Sequence, residues 1–359
     1  MPAHSPLTGL LARPYDPLAT QFGRDVTQGF GLDHALAVPV RLASLLLLTV
    51  LAGGCGNSGM DHATAANTPA RVDAIDLAGL APNTLTLPNA RSSIKFAVIG
   101  DSGRGSKEQH DVAARMNEYR ARFDYKFVIM VGDNIYEGAA SEDDYRLKFE
   151  EPYRALLDAG VKFYASLGNH DDTNEIFYKP FNMDGHRYYT FVPPVDPLTR
   201  WDTRVRFFAL DSTYVTREQV QWFDRESTQS KADWKIAFLH HPLYTSGRYG
   251  LAARAIRFGL ESSFVSGGVN VVFSGHEHIY ERAELQKGIL YFISGGAGSL
   301  REGDAAASPI IARAYDRDYH FMLVEIDDDN LSFQAINRVG VTVDAGTLRR
   351  PTADTPDRK

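Results

Sequence analysis

Residues 127–136 read Phe127-Val128-Ile129-Met130-Val131-Gly132-Asp133-Asn134-Ile135-Tyr136. An unbroken apolar run that stops at Gly-Asp predicts a strand buried on both faces and ending in a tight polar turn. The pattern recurs along the chain. Residues 94–99 run into Gly100-Asp101, and residues 161–167 into Gly168-Asn169-His170. Residues 236–239 run into His240, and residues 271–274 into Gly275-His276-Glu277-His278. A lone Gly-Asp after a strand is usually a turn. Repeated polar exits in one chain mean more, because the carboxyl ends of strands in an α/β sheet are where ligands gather. The glycines before Asp101, Asp133, Asn169 and His276 are expected to permit sharp turns and close backbone approach.

Working outward, helical periodicity follows at 107–122 and 142–157, and again at 251–264. Thr216-Arg217-Glu218-Gln219 reads as a capping-box start for a helix to about 227. Further strands are predicted at 206–210, 234–239 and 269–273, then 290–294, 321–326 and 331–336, with 171–204 irregular. Early β-α alternation and a strand-rich end predict an α/β sandwich of two sheets flanked by helices. The expected organisation is a leader over 1–55, a tether over 56–92, a catalytic domain over 93–344 and a disordered tail over 345–359.

The chain has 359 residues and a net charge of −7. It lacks the basic footprint of a nucleic-acid binder. Its single cysteine, Cys55, precludes an intrachain disulfide and leaves oxygen and nitrogen donors for any metal. Residues 42–52 form an apolar run too short to span a bilayer. Leu51-Ala52-Gly53-Gly54-Cys55-Gly56 resembles a bacterial lipoprotein signal, with Cys55 as the lipidated residue. Export to the periplasm or cell envelope is therefore expected, with membrane contact only through that anchor. Residues 1–38 are long and weakly basic for a signal, which predicts a later translation start.

The order Gly-Asp, Gly-Asp, Gly-Asn-His-Asp, His-x-Pro and Gly-x-His-x resembles the calcineurin-like metallophosphoesterase superfamily over about Phe96 to Tyr280. The resemblance implies a four-layer α/β/β/α sandwich of two mixed sheets flanked by helices. The first block here is Asp101-Ser102-Gly103, where most members have Asp-x-His. The second block carries Tyr136, as in purple acid phosphatases, and Gly275-His276-Glu277-His278-Ile279-Tyr280-Glu281-Arg282 is similar to their fifth block. The resemblance implies that Asp101, Tyr136 and His278 hold a first ion, Fe(III). It implies that Asn169, His240 and His276 hold a second ion, Fe(II), Zn or Mn, and that Asp133 bridges the two. The implied reaction is hydrolysis of a small phosphate monoester by a metal-bound hydroxide, with His170 contacting phosphate beside Asn169 and assisting the leaving group.

His241 and Tyr249 are further candidates for substrate contact. The His-x-Pro pattern makes His240 the ligand, and His241 should point the other way. Tyr249 stands nine residues after His240, where small purple acid phosphatases often carry a histidine. A phenol ionises near pH ~10 in water and is a poor acid, so a strongly acidic optimum is not expected. Arg248 offers either a substrate charge or a solvated surface group. His4, His34, His62, His110, His186 and His320 read as structural or solvent-facing. A phosphodiesterase or nucleotide hydrolase is the alternative, with Trp201, Tyr188 and Tyr189 as a base-stacking cluster. A non-catalytic phosphate-binding surface protein is the other.

Overall fold

The computed structural model describes residues 69–137, 140–194 and 204–351, all within one compact unit, residues 63–359. The leader with Cys55, His4, His34 and His62, Trp201 and residues 352–359 lie outside the described residues.

The first sheet begins with β1 (Arg71–Ala74), then β2 (Ile94–Ile99), α1 (Lys107–Phe123) and β3 (Phe127–Met130). A helical turn (Glu142–Tyr145) and a π-helical turn (Arg146–Glu150) lead into α2 (Glu151–Asp158) and β4 (Lys162–Ala165). The chain then crosses to the second sheet with β5 (Tyr189–Phe191), β6 (Val205–Ala209), α3 (Arg217–Gln229), β7 (Trp234–Phe238) and α4 (Gly250–Gly267). That sheet continues with β8 (Val271–Ser274), β9 (Tyr280–Ala283), β10 (Leu290–Ser294) and β11 (Ile311–Tyr315). The last three strands, β12 (His320–Asp327), β13 (Asn330–Asn337) and β14 (Thr342–Arg349), return to the first sheet. The strand orders are β1-β14-β13-β12-β2-β3-β4 and β11-β9-β10-β8-β7-β6-β5. Both sheets are mixed: β2, β3 and β4 run parallel, as do β6, β7, β8 and β10, with antiparallel strands outside them.

Alternation along the strands builds the layers. Phe96 and Val98 point between the sheets, where they meet Phe207, Ile236 and Phe273. Ala97 and Ile99 point outward, onto Val112, Met116 and Tyr119 of α1. On the far side Phe208, Ala237 and Val272 pack on Phe223 of α3 and on Ile256, Leu260 and Phe264 of α4. The result is the expected α/β/β/α sandwich, with three apolar layers between its four structural ones.

Two expected boundaries are corrected. The tether was expected to run to 92, but Arg71–Ala74 is already a strand, paired antiparallel with Gly346–Arg349 of β14. The tail was expected to begin at 345, but Ala345 and Leu348 are buried in the last strand of the first sheet. β1 is a largely exposed edge strand, and β14 lies between β1 and β13, almost wholly buried despite its polar residues. The short strands β5, β9 and β11 were not foreseen either. The α3 start is half a capping box: Thr216 Oγ accepts from the Gln219 amide at 3.2 Å. The Gln219 side chain is drawn instead to the backbone of Asp211.

Candidate metal centre

The exits of β2, β3 and β4 meet those of β7 and β8 at one end of the sandwich. Asp101, Asp133 and His276 all adopt left-handed backbone, with φ of 54°, 51° and 66°. Such φ values are uncommon for side-chain-bearing residues and concentrate at functional sites. At Asp101 and His276 the sharp turn is therefore taken by the polar residue itself, whereas before Asp133 it is shared with Gly132, at φ 88°. The preceding glycines Gly168 and Gly275 chiefly provide room: a Cβ on them would lie 2.2 Å from Asp133 Oδ1 and 2.4 Å from Asp101 Oδ2.

On one side, Tyr136 Oη lies 3.1 Å from Asp101 Oδ1 and 3.0 Å from His278 Nε2, and the latter two are 3.3 Å apart. On the other, His240 Nε2 lies 3.0 Å from Asn169 Oδ1, 3.2 Å from His276 Nδ1 and 3.3 Å from Asp133 Oδ1. The Asp133 carboxylate also faces Tyr136, so it touches both groups. Two donors each about 2.1 Å from one ion at right angles stand about 3.0 Å apart. The spacings fit one ion per side. Among the described His, Asp and Glu side chains, Asp101, Asp133 and His278 place donor atoms within 4.8 Å of one another.

The protons argue the same way. His240 Nδ1 donates to the Val131 carbonyl at 2.9 Å, which turns the Nε2 lone pair toward Asn169, Asp133 and His276. Converging lone pairs repel unless a cation lies among them. Burial drives the carboxyl of Asp101 well above the usual carboxylate range. Burial, then the Asp101 and Asp133 charges, push the Tyr136 phenol far above its ordinary value. Burial holds the His278 imidazole down at about 3. Without a cation Asp101, Tyr136 and His278 therefore favour their neutral forms, whereas Asp133, despite its burial, is held below the usual carboxylate range by His240 and His170; a bound ion would favour the ionised carboxylate and phenol alike.

Gly103 is explained by the same geometry. A Cβ there would sit 1.8 Å from the Asn134 carbonyl oxygen and 2.6 Å from the Ile135 nitrogen. The bare backbone lets the two loops touch, and the Tyr136 N–H donates to the Gly103 carbonyl at 2.9 Å. The same feature that removes a side chain from the first loop thus brings Tyr136 in from the second.

The family model of the calcineurin-like phosphoesterases matches residues 94–280. The chain belongs to the calcineurin-like phosphoesterase family. This phosphoesterase is 28% identical over 236 residues to "Purple acid phosphatase 17" of Arabidopsis thaliana, covering 58% of the chain and 69% of that relative. It is 22% identical over 302 residues to "Tartrate-resistant acid phosphatase type 5" of Rattus norvegicus, covering 72% and 92%. Its fold is similar to that of a purple acid phosphatase from yellow lupin seeds (TM-score 0.56, 17% identity), covering 74% of this chain and 55% of that one. The phosphoesterase is a metal-dependent hydrolase of phosphoric esters in the purple acid phosphatase-like branch.

The other candidates of the phosphoesterase fall into place around this centre. His170 is solvent-accessible at the mouth, its ring 4.9 Å from that of Tyr136 and its N–H donating to Asp133 Oδ1 at 3.0 Å. His241 does not point away as expected. Its ring is 4.3 Å from that of His276, because Ser212 Oγ accepts from its backbone N–H at 2.8 Å and pairs with Nδ1 at 2.9 Å. The bend after β7 breaks the simple alternation of a strand. Tyr249 caps α4 and lies 4.3 Å from the His276 ring. Its N–H donates to Glu277 at 2.7 Å, while Glu281 takes the Ser246 N–H and hydroxyl. Arg248 is bound to Asp304 by two hydrogen bonds, of 2.7 and 2.9 Å. Tyr188 packs on Trp222, and Tyr189 donates to the Ala165 carbonyl, so neither is free to stack a base. His110 and His186 are exposed, and His320 is fully buried under Gly296.

Sequence reading missed several residues. Asp171, directly after His170, accepts from Gly168, Ile135 and Asn134 and ties the second and third loops together. Arg104 and Arg301, Ser212 and Ser299 also approach the centre. Only Arg104, three residues after Asp101, had a positional signal.

Proposed function

We propose that the chain is an exported phosphomonoesterase of purple acid phosphatase type that works with two ions. In this reading Asp101, Tyr136 and His278 hold Fe(III), Asn169, His240 and His276 hold Fe(II), Zn or Mn, and Asp133 serves both. The observation that carries it is the triangle of Tyr136, Asp101 and His278 donors, 3.0 to 3.3 Å on its sides. A buried phenol set against a carboxylate suits a hard, highly charged cation better than it suits core packing. When bound, the ions supply Lewis acidity toward phosphoryl oxygens and acidify bound water.

The chain's own residues then orient the ester. Asn169 offers its amide at the edge of the second ion. His170, accessible and fixed through its backbone by Asp133, is placed to hydrogen-bond the phosphoryl group and to protonate the leaving oxygen. Burial, with His240 adding to it, holds the His241 imidazole down at about 3, so it acts as a neutral group. With Ser212 donating to Nδ1, the remaining proton sits on Nε2 as a donor for phosphate. Tyr249 can donate one hydrogen bond where a histidine would supply an acid group, which favours substrates with good leaving groups and an optimum nearer neutrality. The lipoprotein-like signal supports attachment of the domain to the envelope through Cys55.

The test is direct. The metal-loaded chain should hold two ions, absorb visible light through phenolate–iron charge transfer, and hydrolyse p-nitrophenyl phosphate faster than bis(p-nitrophenyl) phosphate. Tyr136→Phe should abolish the visible band and cost ~100-fold in kcat/KM. A colourless wild type with full iron content would sink the assignment of Tyr136.

A further inference from the structure

The loop from Thr245 to Tyr249, which joins the His240 strand exit to α4, is gripped by two acidic side chains of the fifth block. Glu277 stands between His276 and His278 and is fully buried. Its carboxylate accepts from the Tyr249 N–H at 2.7 Å and from the Thr245 hydroxyl at 3.5 Å. Thr245 Oγ1 in turn accepts from the Gly247 N–H at 2.8 Å. Glu281, on β9, takes the Ser246 N–H with both of its oxygens at 3.1 Å, together with the Ser246 hydroxyl. The loop lies directly on these groups: a Cβ on Gly247 would be 2.6 Å from the Glu277 carboxyl carbon. Glu277 cannot retreat, because the glycine-rich loop Gly295-Gly296-Ala297-Gly298 presses on its backbone. A Cβ on Gly295 would lie 2.1 Å from the Glu277 carbonyl oxygen.

Packing alone does not ask for an acid at either place. Neither carboxylate forms an ion pair among the described residues, and Glu277 Oε2 has no hydrogen-bond partner among them. A buried carboxyl that lacks a counter-ion is unfavourable beside an apolar side chain of the same size. What the two acids do supply is acceptors for the loop's backbone N–H groups, and those would otherwise be left unpaired. Neighbouring side chains at this strand exit thus serve different partners. His276 and His278 turn to the centre, and Glu277 turns to the loop. The effect falls on Tyr249, whose ring stands 4.3 Å from that of His276. The shortest bond to Glu277 is made by the N–H of that same tyrosine, so it sets where the phenol stands against the second half of the centre.

We propose that Glu277 is a positioning residue: it fixes the 245–249 loop so that Tyr249 meets the phosphoryl group, while Glu281 holds the middle of the same loop. The proposal rests on the phosphatase reading above, in which Tyr249 donates a hydrogen bond to phosphate. Glu277 itself touches neither ion nor substrate and acts through Tyr249. The strand exit that carries two metal ligands thereby also carries one wall of the mouth, which keeps ligands and substrate contact in one register.

The experiment measures orthophosphate binding by calorimetry on the full chain loaded with iron and zinc. Glu277→Gln and Glu277→Met remove the same charge at similar length and differ in the oxygen that accepts the Tyr249 N–H. Glu277→Met should bind phosphate ~5-fold more weakly than Glu277→Gln, with two ions retained in both. Tyr249→Phe should weaken binding ~5-fold in the wild type and in Glu277→Gln, the contribution of one hydrogen bond. In Glu277→Met the same change should add less than ~2-fold, because the phenol is already displaced. Gly247→Ala works from the other side: it pushes the loop off an intact carboxylate and should weaken binding as Glu277→Met does. Equal binding by the Gln and Met variants overturns the proposal, as does a Tyr249→Phe effect of the same size in every background. So does Gly247→Ala that binds like the wild type, or an ion lost from Glu277→Met. Failure of the wild type to release p-nitrophenol from p-nitrophenyl phosphate would count against the phosphatase reading alone, since the titration reads the loop without turnover.

Discussion

The two halves of the centre are built alike but charged differently. Each draws three donors of its own from loops at strand ends, and each shares Asp133. The half at Tyr136 contains Asp101 and a phenol that would ionise if it bound a cation, which would make two of its own donors anions. The half at His240 contains Asn169, His240 and His276, all neutral when they coordinate. In the proposed reading a hard trivalent ion would go with the first set and a divalent ion with the second. On that reading charge, not spacing, would sort valence, since donor distances differ by only tenths of an ångström between the halves.

The strongest way to break this comparison is to remove what the halves share. Asp133→Asn should lose both ions by elemental analysis and cost on the order of 10³-fold or more in kcat. Retention of one full-occupancy ion would show that the halves are independent. Next comes erasing the charge difference. Asn169→Asp should raise the iron-to-zinc ratio of chain loaded in a mixture of both metals, because the second half gains an anion. An unchanged ratio would mean that geometry, not charge, sorts the ions.

A smaller effect is expected from Gly103→Ala. The added carbon collides with backbone that cannot swing aside, so unfolding free energy should fall by about 2–3 kcal/mol, and iron should be lost before zinc. Equal loss of the two metals would uncouple Gly103 from the Tyr136 half. The mildest test strips the metals. Burial raises the carboxyls of Asp101 and Glu277, the latter to about 7. The folded apo chain then keeps protons that the unfolded chain has released. Its stability should fall as pH rises from about 4.5 through 7, and metal loading should remove Asp101's share of that loss. Thermal melts with and without chelator across this window check the sign.

Much of this is legible in the sequence. The strand exits announced themselves because a strand buried on both faces is apolar throughout, and the polar residue after it has no packing reason to be there. Asp101, Asp133, Tyr136, Asn169, His240, His276 and His278 do converge. What stayed hidden depends on approach between distant segments. His241 was misdirected because strand alternation was extended past the bend that Ser212 stabilises. Arg301 is 25 residues beyond His276 in sequence, and only the glycine-rich loop brings it back. The strand β14 was read as a tail because its alternation is broken by Gly346 and by polar residues that face β1.

The lock between the sheets carries a mechanical consequence. Tyr280 and Arg282 on β9 both grip Asp344 on β14, at 2.7 Å each. His276 and His278 lie just upstream of β9, so the fifth block is anchored at its far end by a carboxylate near the C-terminus. The final strand thus acts as a keystone for a centre built from residues far earlier in the chain. A truncation before Asp344 would remove no donor atom, yet it would release the strand against which the His276–His278 loop is braced.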